Sequence, residues 1–154
     1  MVRNKFKTIT IYSTAKDKRT LDIARHCHEV LTNKGVKVVF TSNFKNKLSS
    51  KNPIVWDDTK IIKYSDLLLS IGGDGTILSS ARKFGSNGIP ILGVNLGNLG
   101  FLSDIAPKEI SLSLAQVISG EYIEDSRIFL RAKLKGYAKD KIALNEIVIH
   151  SGSI

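Results

Sequence analysis

The chain has 154 residues, a hydrophobic content of 42% and a formal net charge of +9 at pH 7. This length allows one sizeable hydrophobic core, or one domain and part of another, and no apolar stretch approaches the roughly 18 residues of a membrane-spanning helix. The lysines are scattered, with no basic run that is interleaved with aromatic residues, so we expect neither nucleic acid nor a membrane as a partner.

The single cysteine, Cys27, cannot form an internal disulfide and fits a reducing compartment. It falls on the apolar face of a predicted helix, where a small core residue is a more ordinary role than a reactive thiol. The first residues lead directly into a strand pattern rather than into a signal peptide. We therefore expect a cytoplasmic protein.

Strands and helices alternate from the start of the chain to about residue 120. Apolar residues at helical spacing predict helices after the first, third and fourth strands, and a short helix around Ile61. Residues 43–59 are polar and contain Pro53, so they predict an irregular surface loop. This alternation predicts an α/β fold, a Rossmann-like parallel sheet with helices on both faces. Four apolar or β-branched runs predict its strands: residues 7–13, 36–41, 67–71 and 90–95.

The pattern changes after residue 122. Residues 127–135 and much of 142–150 alternate apolar and polar side chains, and residues 136–140 link them, which predicts an antiparallel hairpin. We place the domain boundary near residues 122–126, with a first domain of residues 1–124 and a second of residues 125–154. A hairpin alone is marginally stable in water, so we expect the second domain to be incomplete or to pack on a neighbour.

The most informative segment is the turn Gly72-Gly73-Asp74-Gly75-Thr76, between the third predicted strand and a predicted helix. Ligands of open α/β sheets bind at the carboxyl ends of the strands, and a helix N-terminus attracts phosphate. Glycines let the backbone approach such a ligand closely. A carboxylate there would repel phosphate unless it takes a proton from an attacking hydroxyl or holds a divalent cation, and both roles belong to phosphoryl transfer.

Two further segments carry polar residues in apolar surroundings. Residues 95–102 form a second glycine-rich turn that should lie beside the first; Asn95 could bond a ligand or the backbone, and Phe101 could face a purine ring or the core. Asn145 and Glu146 lie within a predicted strand, Ile142–Ile149, so one of them should face inward. Its polar partner would be a ligand hydroxyl or a side chain of another strand.

These segments, in this order, resemble the NAD kinase family: Gly72–Thr76, Asn95–Leu102 and Ala143–Glu146. The first motif alone is shared with phosphofructokinases and with lipid kinases, whereas the second and third point to NAD kinases. The resemblance implies phosphorylation of the 2′-hydroxyl of the adenosine ribose of NAD by ATP to give NADP, with a divalent cation, Mg²⁺. The alternatives are a lipid or sugar kinase of the same superfamily, or a catalytically inert module that binds NAD or NADP.

The resemblance also implies roles for individual residues. Asp74 would be the general base that accepts the proton of the 2′-hydroxyl. Asp74 and Gly75 would contact NAD, with Gly72 and Gly73 shaping the phosphate-binding turn. Phe101 would lie near the adenine pocket.

From the second domain, Asn145 and Glu146 would hold NAD by its ribose and phosphate groups. Members of this family continue into a β-rich domain with a Thr-Gly-Ser-Thr-Ala-Tyr-like segment, which is absent from these 154 residues. The resemblance therefore implies that residues 1–124 are a nucleotide-binding domain and that residues 125–154 begin an incomplete β-rich domain. We expect little activity from this portion alone, and a homo-oligomer at full length.

Overall fold

A computed structural model of the chain describes residues 5–48, 53–97, 100–102, 105–136 and 140–148. The chain divides into two compact units, Met1–Tyr122 and Ile123–Ile154. In the described part of the first unit, the strands and α-helices follow in this order: β1 (Thr8–Tyr12), α1 (Lys18–Asn33), β2 (Lys37–Thr41), β3 (Val55–Trp56), α2 (Asp58–Tyr64), β4 (Leu67–Gly72), α3 (Asp74–Lys83), β5 (Ile91–Asn95) and α4 (Ile110–Ser119).

The five strands of the first unit form one parallel sheet in the order β3-β2-β1-β4-β5. Strand β1 is central, with Ile9 opposite Val38 of β2 on one side and Leu67 of β4 on the other. The chain winds outward from β1 first in one direction and then in the other. The carboxyl ends of β1 and β4 therefore border the topological switch point, where ligands of such sheets bind.

Helices cover both faces of this sheet, as the alternation predicts. Ile9 and Ile11 are fully buried in a core that also contains side chains of α1 and α4, such as Leu31 and Leu114. The opposite face packs residues of β1 and β4 against α2 and the end of α3. None of the helices among the described residues combines the length and the apolar character that crossing a membrane requires.

The prediction of an irregular loop over residues 43–59 is wrong in part. Phe44 ends a 3-10 helical turn and is 2% exposed, and the two-residue strand β3 pairs with β2 at the edge of the sheet. Helix α2 begins within the same range, at Asp58, where the Asp57 side chain caps it by accepting a hydrogen bond from the Lys60 N–H at 2.9 Å. Residues 49–52 lie outside the described residues.

The second unit contains the predicted antiparallel hairpin. Strands β6 (Phe129–Ala132) and β7 (Lys141–Leu144) pair with Phe129 opposite Leu144. Strand β7 is shorter than predicted, since it ends five residues before Ile149. Residues 137–139 of the predicted link and residues 149 and 150 of the predicted strand lie outside the described residues.

Cys27 is a core residue, as predicted. Its side chain is fully buried, and burial raises the pKa of the thiol to about 12. A thiol that is both protonated and inaccessible should not react with an aromatic disulfide at pH 8 while the protein is folded. We expect labelling of the native protein to be at least about 10³-fold slower than labelling in guanidinium, because it must wait for unfolding. Cys27 is the only cysteine, so the signal reports this position alone; native labelling as fast as in denaturant would contradict its burial.

Candidate functional site

The first glycine turn lies where β4 meets α3, at the switch point. All six residues of β4 are buried, and Gly73 precedes the first helical residue, Asp74. Gly72 has a φ of +156°, and a Cβ there would lie 2.7 Å from the Cβ of Thr76 and still closer to its Oγ1. Gly72 is therefore a glycine because the Thr76 side chain packs against its backbone.

Gly73 and Gly75 are glycines for a different reason. Neither has a positive φ, and a Cβ at either position would meet no atom within 4 Å. Gly75 lies within the first turn of α3, where a glycine costs up to about 1 kcal/mol relative to alanine, and no close contact among the described residues requires it. Helix α3 also begins without a side-chain cap. Gly73 and Gly75 are exposed and carry no side chain, so a phosphate group can closely approach the backbone N–H groups at this helix start.

Asp74 connects the two glycine turns. Its Oδ2 accepts a hydrogen bond from the Phe101 N–H at 2.9 Å, and its Oδ1 accepts one from the Leu102 N–H at 3.2 Å. The prediction that the second glycine turn lies beside the first is therefore confirmed. A carboxylate has about four acceptor sites, so both oxygens can still accept a hydrogen bond from a ligand hydroxyl.

Gly100 permits this contact. A Cβ at Gly100 would lie 2.7 Å from Cγ of Asp74, 2.9 Å from Oδ2 and closer still to Oδ1. Any side chain at this position would therefore displace the carboxylate or the backbone that donates to it. The glycine is required by the close approach of the two turns.

The second turn is tied to β5 at both of its ends. The buried Asn95 accepts a hydrogen bond from the Gly97 N–H at 2.8 Å, so it bonds the backbone, one of its two predicted roles. The chain then returns to β5, where the Ile105 N–H donates to the Gly93 carbonyl at 3.0 Å. Phe101 is 99% exposed, which excludes the core and leaves the purine ring as a prediction. Residues 98 and 99 lie outside the described residues.

Asn145 and Glu146 belong to the second unit, and the structure corrects their predicted setting. Strand β7 ends at Leu144, because Asn145 has a φ of +72° and leaves the extended conformation. Asparagine tolerates this left-handed region better than most residues. Both side chains are exposed, so the prediction that one of them faces inward is wrong. They follow the end of a strand instead of lying inside it.

Sequence reasoning missed one residue that contacts the first glycine turn from outside it. Thr14, which follows β1, forms a hydroxyl–hydroxyl hydrogen bond of 2.9 Å between its Oγ1 and Oγ1 of Thr76. The segment after β1 contains no glycine, so its own sequence does not indicate a ligand-binding turn. Thr14 is identified once β1 and β4 are known to be parallel neighbours, because their carboxyl ends then lie side by side.

The sequence is similar to known NAD kinases. The model of the family described as the ATP-NAD kinase N-terminal domain matches residues 6–122. The NAD kinase of Aeromonas salmonicida is 34% identical over 152 residues, which cover 97% of this chain and 52% of that protein. The NAD kinase of Buchnera aphidicola is 36% identical over 152 residues, with 97% and 52% covered. The chain thus spans about half the length of the curated relatives that it matches.

Two solved structures share the fold. The yeast NADH kinase complexed with NADH superposes with a TM-score of 0.71 at 23% identity, over 92% of this chain and 47% of that one. An NAD kinase from Archaeoglobus fulgidus in complex with ATP gives a TM-score of 0.57 at 19% identity, over 83% and 43% of the two chains. At these identities the likeness concerns the fold alone.

From the packing of Gly100 on Asp74 we predict that a side chain at position 100 lowers the stability of the protein. Gly100→Ala should destabilise the protein by about 1–3 kcal/mol, because the added methyl group overpacks the contact. Amide protons of Phe101 and Leu102 should also exchange faster with solvent, since they lose the carboxylate. Urea unfolding and amide exchange measure the two effects.

Gly97→Ala is the matched control in the same turn. Neither Gly97 nor Gly100 has a positive φ, but a Cβ at Gly97 would meet only Oδ1 of Asn95, at an ordinary 3.8 Å. We expect this variant to stay within about 0.5 kcal/mol of the wild type. Equal stabilities of the two variants would show that Gly100 is not required by its contact with Asp74.

Proposed function

The chain belongs to the NAD kinase family, and we propose that its protein transfers a phosphoryl group from ATP to the 2′-hydroxyl of the adenosine ribose of NAD, giving NADP. The observation that carries this proposal is the placement of Asp74, which opens a helix at the switch point of a parallel sheet. The backbone of Gly73 and Gly75 beside it is not covered by other atoms, so it can bind a phosphate group. Relatives whose structures hold NADH or ATP support the two substrates.

In this proposal Asp74 is the general base. A ribose hydroxyl is a weak nucleophile, and a positioned carboxylate that accepts its proton contributes about 10² to 10⁴-fold to the rate. The N–H groups of Phe101 and Leu102 hold the two carboxylate oxygens in place and leave each of them able to accept a further hydrogen bond. The proton of the 2′-hydroxyl passes to Asp74 as the oxygen attacks the γ-phosphorus of ATP, and the bond between that phosphorus and the bridging oxygen breaks, so that ADP leaves.

Each of the two units contains residues with a proposed role toward NAD. We propose that residues 1–124 form the nucleotide-binding domain, and that residues 125–154 begin a β-rich domain. Asp74 and Gly75 contact NAD, and Gly72 and Gly73 shape the turn beneath the phosphates. Asn145 and Glu146 have exposed side chains that can bind ribose and phosphate groups.

Phe101 lies near the adenine in this proposal. Its ring is almost fully exposed on a backbone that Asp74 fixes, which leaves it available for stacking on a purine.

The divalent cation, Mg²⁺, is expected to arrive with the phosphates of ATP. The described residues contain no group of three histidine, cysteine, aspartate or glutamate side chains that could hold a metal. Mg²⁺ commonly binds through one or two carboxylates and substrate phosphates, so this donor set fits a cation carried mainly by the nucleotide. When bound, the ion would neutralise phosphate charge. We also propose a cytoplasmic location, a role in NADP biosynthesis and a homo-oligomeric full-length protein.

The reaction can be tested directly with labelled ATP. Protein expressed to its natural stop codon should transfer phosphate to NAD in the presence of Mg²⁺, and not to fructose 6-phosphate or diacylglycerol. Residues 1–154 alone should show little or no transfer, because half of a cleft cannot position two nucleotides. Transfer to another acceptor, or NAD binding without transfer, would contradict the proposal in favour of a lipid or sugar kinase or of a binding module.

Asp74→Asn tests the general base. In the same protein we expect turnover to fall by about 10² to 10⁴-fold while the dissociation constant for NAD changes by less than about fivefold, because the amide cannot accept the proton. The side-chain amide that replaces the carboxylate can also disturb the hydrogen bonds from Phe101 and Leu102. Gly100→Ala is therefore the control, because it displaces the carboxylate but leaves it able to accept a proton. Unchanged turnover in Asp74→Asn would remove Asp74 as the base.

A further inference from the structure

Three pairs of hydroxyl groups attach helix α3 to the sheet. Each joins a side chain of the helix to one that comes from β1, from β4 or from the residues directly after β1. Two lie along the helix, away from its first turn, whereas the third reaches Thr76, which belongs to the glycine turn. The pairs are Tyr12–Ser79 at 2.8 Å, Ser70–Ser80 at 3.2 Å and Thr14–Thr76 at 2.9 Å.

The Thr14–Thr76 pair is the one that can set the position of the turn. Thr76 is 8% exposed, and its side chain packs against the backbone of Gly72 so closely that no side chain fits there. A displacement of the Thr76 hydroxyl would therefore shift both the end of β4 and the first turn of α3. Thr14 is exposed and lies beyond the end of β1. The hydrogen bond of Thr14 therefore links the β1–α1 segment to the glycine turn across the switch point.

We propose that Thr14 is a positioning residue for the glycine turn, acting through Thr76. The turn needs such support because glycines precede and follow Asp74 and leave its backbone without side-chain packing at positions 73 and 75. With its hydroxyl bonded, Thr76 holds the start of α3, and with it Asp74, against β1. The effect on turnover rests on the proposed function, whereas the effect on the turn does not.

Kinetics test the first of these effects, in protein expressed to its natural stop codon. Thr14→Val keeps the shape and removes the hydroxyl, and kcat should fall about 5- to 50-fold with less than about a threefold change in KM for NAD, because small misplacements of a catalytic group reduce rates steeply. Thr14→Ser keeps a hydroxyl and should restore kcat to within about twofold. Ser79→Ala removes the Tyr12–Ser79 pair one turn further along the same helix and should leave kcat unchanged.

A double-mutant cycle tests whether Thr14 acts through its partner. If the two hydroxyls form one unit, Thr14→Val combined with Thr76→Val should lower kcat no further than Thr76→Val alone. Losses that multiply would mean that Thr14 acts independently, and would overturn the proposal.

Amide exchange supplies a readout that needs no activity. The N–H groups of Thr76 and Ile77 donate to the Gly73 carbonyl at 2.9 and 3.2 Å, and their exchange should be at least about fivefold faster in Thr14→Val than in the wild type or in Ser79→Ala. If these two amides exchange as slowly in Thr14→Val as in the wild type, Thr14 does not position the turn. A wild-type protein that transfers no phosphate to NAD would overturn the proposed function, and the exchange comparison would still decide the role of Thr14.

Discussion

The hydrogen bonds from Phe101 and Leu102 to the Asp74 carboxylate are the constraint on which the site depends. They are possible because β4 and β5 are parallel neighbours whose register pairs Gly72 with Asn95, so that both strands end at the same level. Each strand continues into a glycine turn, and one short side chain can then bridge the two turns. The bridge also explains why Gly100 tolerates no side chain, since the second turn must approach the carboxylate with its backbone.

Much of the sheet could be predicted from the sequence, because its strands carry their own signal. Strand β4 is buried on both faces and therefore reads as a continuous apolar run, and the apolar spacing of α1 marks its buried side. Strand β3 gives no such signal, since its two residues are extended only through pairing with β2. Strand β7 ends earlier than predicted because the apolar residues on both sides of Asn145 favour a continuous strand, whereas asparagine also tolerates the positive φ that ends it.

The sequence located the candidate site but could not assign its parts. Five glycines lie in the two turns. Only the structure separates Gly72 and Gly100, which packing requires, from Gly73, Gly75 and Gly97, where a Cβ would meet nothing closer than an ordinary van der Waals contact. Thr14 could not be found from its own segment, because its importance comes from the order of the strands. Sequence periodicity predicts elements, whereas neighbours in a parallel sheet are set by crossover connections that local patterns do not encode.

A fixed carboxylate has a consequence for the choice of acceptor. Asp74 is held by backbone N–H groups and stands beside glycines, so none of these contacts can distinguish one hydroxyl-bearing acceptor from another. These contacts suit a part of the site that only positions a base and phosphate. Under the proposed function, discrimination must come from side chains, and Phe101, Asn145 and Glu146 are the exposed candidates. The chemistry would then reside in the first glycine turn, and the preference for NAD in these three side chains.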